Sequence, residues 1–185
     1  VTLSDARATA LGRTALVRTE VVTTNAFDKA GGSVTINDIT IRNTTATDDT
    51  VSTSFATGSA IAKAAAINDA TQHSGVIARV QATEVKNNNN VTAGTLNETS
   101  FIQINGEIIT GFAVTTDDSN GELAAQINAM TERTGVVATV DKNFRLELTA
   151  TDGRNIEVIA SDANAATITG LSTGVTTAAI ELESE

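Results

Sequence analysis

The run Gly121–Val140, GELAAQINAMTERTGVVATV, decides the fold. Leu123, Ile127 and Met130 fall at i, i+4 and i+7, which places them on one stripe of a helix. Ser119 followed three residues later by Glu122 has the form of a capping box, in which a hydroxyl and a carboxylate satisfy free amides of the first turn. Gly135 stands where a helix ends on a left-handed residue. Beyond it VVATVD, FRLELTA and NIEVIA alternate apolar and polar residues, and Lys142-Asn143 and Asp152-Gly153 separate them as strands.

Upstream, FIQINGEII sets Asn105-Gly106 between two apolar runs, a strong hairpin signal because both residues tolerate positive φ. The second half of the chain therefore reads β-β-α-β-β-β. The same order occurs earlier. SVTINDITI places Asn37-Asp38 between Val34, Ile36 and Ile39, and AKAAAINDATQHSGVIARV runs from Ala62 to Val80. At an offset of 127 − 67 = 60, seven of fourteen positions between Ile67–Val80 and Ile127–Val140 are identical. They are Ile67/Ile127, Asn68/Asn128, Thr71/Thr131, Gly75/Gly135, Val76/Val136, Ala78/Ala138 and Val80/Val140. Unrelated segments would share roughly one, so the chain contains a structural repeat. At the hairpins the offset is 105 − 37 = 68, and the extra length falls in a Thr-rich segment, RNTTATDDTVSTSFAT, read as a loop with a short strand around Val51–Phe55.

Less is decided elsewhere. In the first thirty residues the alanines favour helix, whereas Val and Thr from Leu16 to Thr24 favour strand. Lys86–Asn90 is a polar, low-complexity loop. The expected fold class is α+β: two related units, 1–92 and 93–185, each a mostly antiparallel β-sheet packed against one α-helix, with the final strand returning to the N-terminus. Thr2–Ser4 and Ile180–Glu183 are expected to be neighbours.

Composition narrows function. The 185 residues include no Cys, Pro, Trp or Tyr, although an average chain of this length holds several prolines. Without Cys there is no disulfide framework, thiolate metal site or thiol nucleophile. Twelve basic against twenty-two acidic residues give a net charge of −10, which repels phosphate backbones, so nucleic acid is not an expected partner. No apolar run reaches the ~18 residues of a membrane span, so no membrane partner is expected either.

An ING hairpin, a helix carrying AQINA, then TGVVATV and LTATDGRNIEV together resemble the "IN" motif of bacterial flagellins and hook proteins. The second copy carries the resemblance along most of 100–160, and the first carries it at its hairpin and at Ala64–Val80. The tail LSTGVTTAAIELESE resembles the flagellin turn that leads into a last strand, and VTLSDARATALG resembles the segment just after such a strand. The resemblance implies a structural, secreted outer surface domain of flagellin in a bacterial flagellum filament, serving motility. Its implied partners are other flagellin subunits, bound through segments lying outside this sequence, and self-contacts between outer domains. The heptad helices through which flagellins polymerise have no counterpart here, so the chain is expected to be the outer portion alone. Alternatives are a domain of a hook-associated or filament-cap protein, or an extracellular adhesin or carbohydrate-binding module.

No catalytic, cofactor-binding or metal residue is assigned. His73, the single histidine, falls in the last helical turn before Gly75, where a cation is favourable, and corresponds to Arg133. One histidine excludes the HExxH metal motif, and no GxSxG elbow is present. Asp117–Glu122 superficially resembles a calcium loop, but with Gly121 sixth the first and twelfth positions are Thr116 and Ile127, which are not the required ligands. Asp48-Asp49 and Glu181, Glu183 and Glu185 read as solvated faces. Asn43, Asn90 and Asn97 begin N-x-Thr triplets, a pattern that arises by chance in a chain rich in Asn and Thr. The functional weight is therefore expected on the loops Arg42–Thr57 and Lys86–Thr99.

Overall fold

A computed structural model describes residues 15–29 and 33–184. The elements run β1 (Leu16–Val21), β2 (Thr35–Ile36), β3 (Ile39–Thr40), α1 (Ala60–Asn68), α2 (Thr71–Ser74), β4 (Val76–Val80) and β5 (Thr83–Lys86). Then come β6 (Gly94–Leu96), β7 (Ile102–Ile104), β8 (Glu107–Ile109), β9 (Phe112–Val114), α3 (Glu122–Asn128) and α4 (Thr131–Thr134). The chain ends with β10 (Val137–Val140), β11 (Leu146–Ala150), β12 (Ile156–Ala160), α5 (Ala163–Thr169), β13 (Gly174–Thr176) and β14 (Ala179–Ser184). All strand pairs are antiparallel, in sheets ordered β1-β14-β4, β10-β11-β5 and β13-β12-β7-β8 and in the ribbons β2-β3 and β6-β9. The class is α+β.

Both hairpins form where Asn leads a two-residue turn. Asn37 and Asp38 have φ of 49° and 64°, and Asn105 and Gly106 have 47° and 89°. Two successive positive φ values give the turn whose twist matches that of the flanking strands.

Two clusters of buried side chains lie behind the sheets. One gathers Ile41, Ala60, Ala64, Ile67, Ala78 and, from the far end of the chain, Ala178 and Ile180. β14 brings these last residues there by pairing with β4 on one side and β1 on the other, Leu16 opposite Glu183. Thr2–Ser4, expected beside this strand, lie outside the described residues. The larger cluster holds Leu96, Ile102, Ile104, Leu123, Ile127, Val136, Leu146, Leu148, Ile156 and Ile168 among others. β5 reaches into this half of the molecule, pairing with β11.

Four local expectations need correction. The helix before Gly135 is two pieces, α3 and α4, joined through Ala129 and Met130. Its cap is the Asp118 carboxylate, which accepts the amides of Leu123 at 2.9 Å and Ala124 at 3.0 Å. Ser119 instead donates to the Thr115 hydroxyl, and Glu122 accepts from Gln126, so no capping box forms. Residues 51–55 contain no strand, and Phe55 has a φ of 51°. Last, the reading β-β-α-β-β-β lacks α5, which starts on Asp162 with its carboxylate accepting the Ala165 amide at 2.7 Å.

Candidate functional site

The identical positions of the repeat converge on one arrangement, built twice. In the second unit Asn128, at the end of α3, holds strand β10 through both faces of its amide: Nδ2 donates to the Ala138 carbonyl at 2.9 Å and Oδ1 accepts the Ala138 amide at 2.7 Å. In the first unit Asn68 holds Ala78 in the same way, at 2.9 and 2.7 Å. Thr131 donates to the Val136 carbonyl at 2.8 Å, and Thr71 to Val76 at 2.8 Å. The hairpin asparagines close the structure from the other side. Asn105 Nδ2 donates to the Thr134 carbonyl and Asn37 Nδ2 to the Ser74 carbonyl, each at 2.8 Å.

Each hairpin is thus fastened to a helix end, and each helix to the strand that follows it. Gly75 and Gly135, at φ 65° and 70°, make the reversal that allows it. The side chains involved are amides and hydroxyls that satisfy backbone groups, which is the accounting that buried backbone requires. Their chemistry is that of a clasp.

The helices differ behind this common clasp. In register, Leu123 corresponds to Lys63, at 123 − 63 = 60. Leu123 is 0% exposed and Lys63 only 3% exposed, so the first unit buries an ammonium where the second buries an isobutyl group. Lys63 Nζ donates to the Thr23 carbonyl and lies 5.7 Å from the centre of the Phe27 ring. Burial pushes its pKa down to about 8. Its neighbours Thr19, Val22, Phe27, Val34 and Ile36 line an open, mostly apolar cavity of about 340 Å³.

The loop Arg42–Thr57 is anchored at several points. Arg42 bridges Asp48, at 2.8 Å, and Asp69 at the end of α1. This hydrogen-bonded pairing holds the Asp48 carboxyl well below the usual range and raises the guanidinium. Burial pushes Asp49 up, but the Ser52 and Ser59 hydroxyls and the Ser52 and Val51 amides outweigh it and leave its pKa lowered. Asn155, 1% exposed, ties the loop to the second unit: its amide donates to Ser52 Oγ at 2.9 Å and its Nδ2 to the Ser54 carbonyl at 2.9 Å. In Lys86–Thr99, Asn87 donates to the Leu146 carbonyl and Thr92 to the Thr167 carbonyl.

The remaining candidates are dispersed. His73 is exposed in the last turn of α2, and its counterpart Arg133 pairs with Glu107 at 2.9 Å. Asp118 is buried as a helix cap, with Asp117 half-buried beside it. Asn43, Asn90 and Asn97 are all exposed, and Asn97 folds back to accept the amides of Thr99 and Ser100. Glu183 pairs with Arg79 at 3.3 Å, whereas Glu185 lies outside the described residues. Among the described residues no three His, Asp or Glu side chains gather as a metal would require.

Sequence reasoning missed the role of Asn68 and Asn128, visible only as identities, and the burial of Lys63. The second was signalled by the lysine standing at a stripe position of α1.

The clasp coincides with a known motif. Residues 102–152, from β7 through α3 and α4 to the turn after β11, match the model described as the flagellin hook IN motif. The chain is also similar to flagellins by direct comparison. It is 52% identical over 42 residues to Flagellin A of Helicobacter pylori and 41% identical over 66 residues to Flagellin A of Helicobacter felis. These matches cover 23% and 35% of this chain but only 8% and 13% of the relatives. The chain thus spans a small part of the curated relatives it matches.

Proposed function

We propose that this chain is an outer, solvent-facing part of a flagellin, working as a structural component of an extracellular bacterial flagellum and carrying no catalytic centre. The observation that carries this reading is the clasp within the matched motif, its asparagine and threonine side chains all engaged with backbone. It stabilises a shape and leaves no reactive group poised. Anchored loops and a net charge of −10 suit a surface that keeps its form in water. Subunit polymerisation belongs, in this reading, to other parts of the protein.

The test is deletion of these residues from the full-length protein. Filaments are expected to assemble without them, and antibodies raised against the isolated segment are expected to decorate intact wild-type filaments along their length. Loss of polymerisation, or an epitope hidden in the intact filament, would contradict an outer placement.

A further inference from the structure

The tripeptide Asn-Gly-Glu occurs twice, at Asn105–Glu107 and at Asn120–Glu122, and these are the two places where an asparagine precedes glycine. An Asn-Gly pair is chemically reactive. The backbone nitrogen after the asparagine can attack the side-chain Cγ, and glycine offers no side chain to hinder it. In both triplets the glycine is left-handed, at φ 89° for Gly106 and 71° for Gly121, with open space where a Cβ would stand. Sequence and glycine conformation are thus matched, and the asparagines decide the outcome.

Asn105 is held at every polar atom of its side chain. It is 4% exposed, its Oδ1 accepts the Glu157 amide at 2.8 Å and its Nδ2 donates to the Thr134 carbonyl at 2.8 Å. Its own amide donates to the Glu157 carbonyl at 3.0 Å. Its Cγ can reach the Gly106 nitrogen only after the hairpin has come away from β12 and from the end of α4.

Asn120 is exposed, as is Gly121. Its Oδ1 accepts the Thr115 hydroxyl at 2.9 Å and the Glu122 amide at 3.3 Å, which folds the side chain over the Gly121 peptide. These two donors polarise the carbonyl under attack and face the oxygen on which negative charge would develop. Nδ2, the leaving group, makes no hydrogen bond among the described residues and is open to water. The Gly121 amide donates to the Asp118 carbonyl at 2.7 Å, a single turn bond that the attack has to break.

We propose that Asn120 is a site of spontaneous deamidation and that Asn105, in the same tripeptide, is protected by the clasp. The Gly121 nitrogen forms a bond to Cγ, the Cγ–Nδ2 bond breaks, and the Gly121 amide proton leaves with Nδ2 as ammonia. Water then opens the succinimide at either carbonyl, giving aspartate or isoaspartate at position 120, with no change in oxidation state. Each event adds one negative charge. Isoaspartate also lengthens the backbone before Gly121, the reversal that aims the Asp118 carboxylate at the amides of Leu123 and Ala124.

The test is to incubate the folded protein in mildly alkaline buffer and follow both triplets by peptide mapping and mass spectrometry. The Asn120 peptide is expected to gain the mass of deamidation at least about tenfold faster than the Asn105 peptide, because Asn105 must first be released by local opening. In denaturant the two rates should converge, and Asn120→Gln should abolish the fast event while leaving the slow one. Equal rates in the folded protein, a faster Asn105, or an Asn120 left intact while the denatured chain converts would each overturn the proposal.

Discussion

The two units share a clasp and differ in what they press against it. Asn68 and Asn128 make the same pair of bonds at the same distances, yet the helix that carries each meets a different interior. α3 buries Leu123 in a continuous apolar cluster, whereas α1 buries Lys63 beside an open cavity. The repeated residues are therefore those that satisfy backbone at a chain reversal, where geometry leaves little choice. Side-chain packing behind the clasp has varied, because apolar contacts are non-directional and tolerate rearrangement.

The largest effect is expected from forcing the second unit to resemble the first. Leu123→Lys buries a charge in a closed core and should cost about 4 kcal/mol or more, read by chemical denaturation. If the cost were small, the second core would be as open as the first. Removing a clasp comes next: Asn128→Ala leaves the Ala138 amide and carbonyl unpaired, for a loss of about 2–4 kcal/mol. Asn68→Ala should fall in the same range; a negligible effect at one site would break the equivalence of the copies.

The reverse exchange should stabilise. Lys63→Met is expected to raise stability at neutral pH by about 1–3 kcal/mol, since an ammonium no longer has to be dehydrated. Its pH dependence comes from linkage. A lysine whose folded pKa is about 8 and whose unfolded pKa is ordinary binds more protons unfolded between those values, so stability rises with pH across that window. Below about 8 the full penalty is present. Lys63→Met should flatten that rise, and an unchanged slope would show that another group causes it.

The smallest difference is at the reversal itself. Gly75→Ala should cost about 1 kcal/mol, because a side chain at positive φ is strained although the space around it is open. Gly135→Ala should cost somewhat more, since the new Cβ would meet the Arg154 guanidinium at 2.2 Å. Both are read by thermal or chemical denaturation.

Much of the fold was legible because its signals are local. Asn-Gly between apolar runs fixes a hairpin, and a glycine after an amphipathic stripe fixes a helix end. The readings that failed depended on partners far along the chain or on a choice between near-equivalent neighbours. Ser119 and Asp118 are both good caps, and the left-handed Gly121 places the Asp118 carboxylate, and not the serine, at the free amides. α5 escaped notice because an Ala- and Thr-rich segment of seven residues has a weak stripe; its helix is secured by Asp162 and by Ile168 in the core. The final strand was legible in the alternation of AAIELE, but its position between β1 and β4 rests on pairing across most of the chain. At the candidate site, the identities pointed to the clasp residues, while their bonds required the fold.

The central claim, one clasp built twice with unequal support behind it, is tested most directly by hydrogen exchange at the amides of Ala78 and Ala138. Both are expected to be strongly protected, with Ala78 opening more readily because its unit carries Lys63 and the cavity. Exchange of either amide at the rate of an unfolded chain would contradict the clasp, and equal protection of the two would contradict the difference between the units.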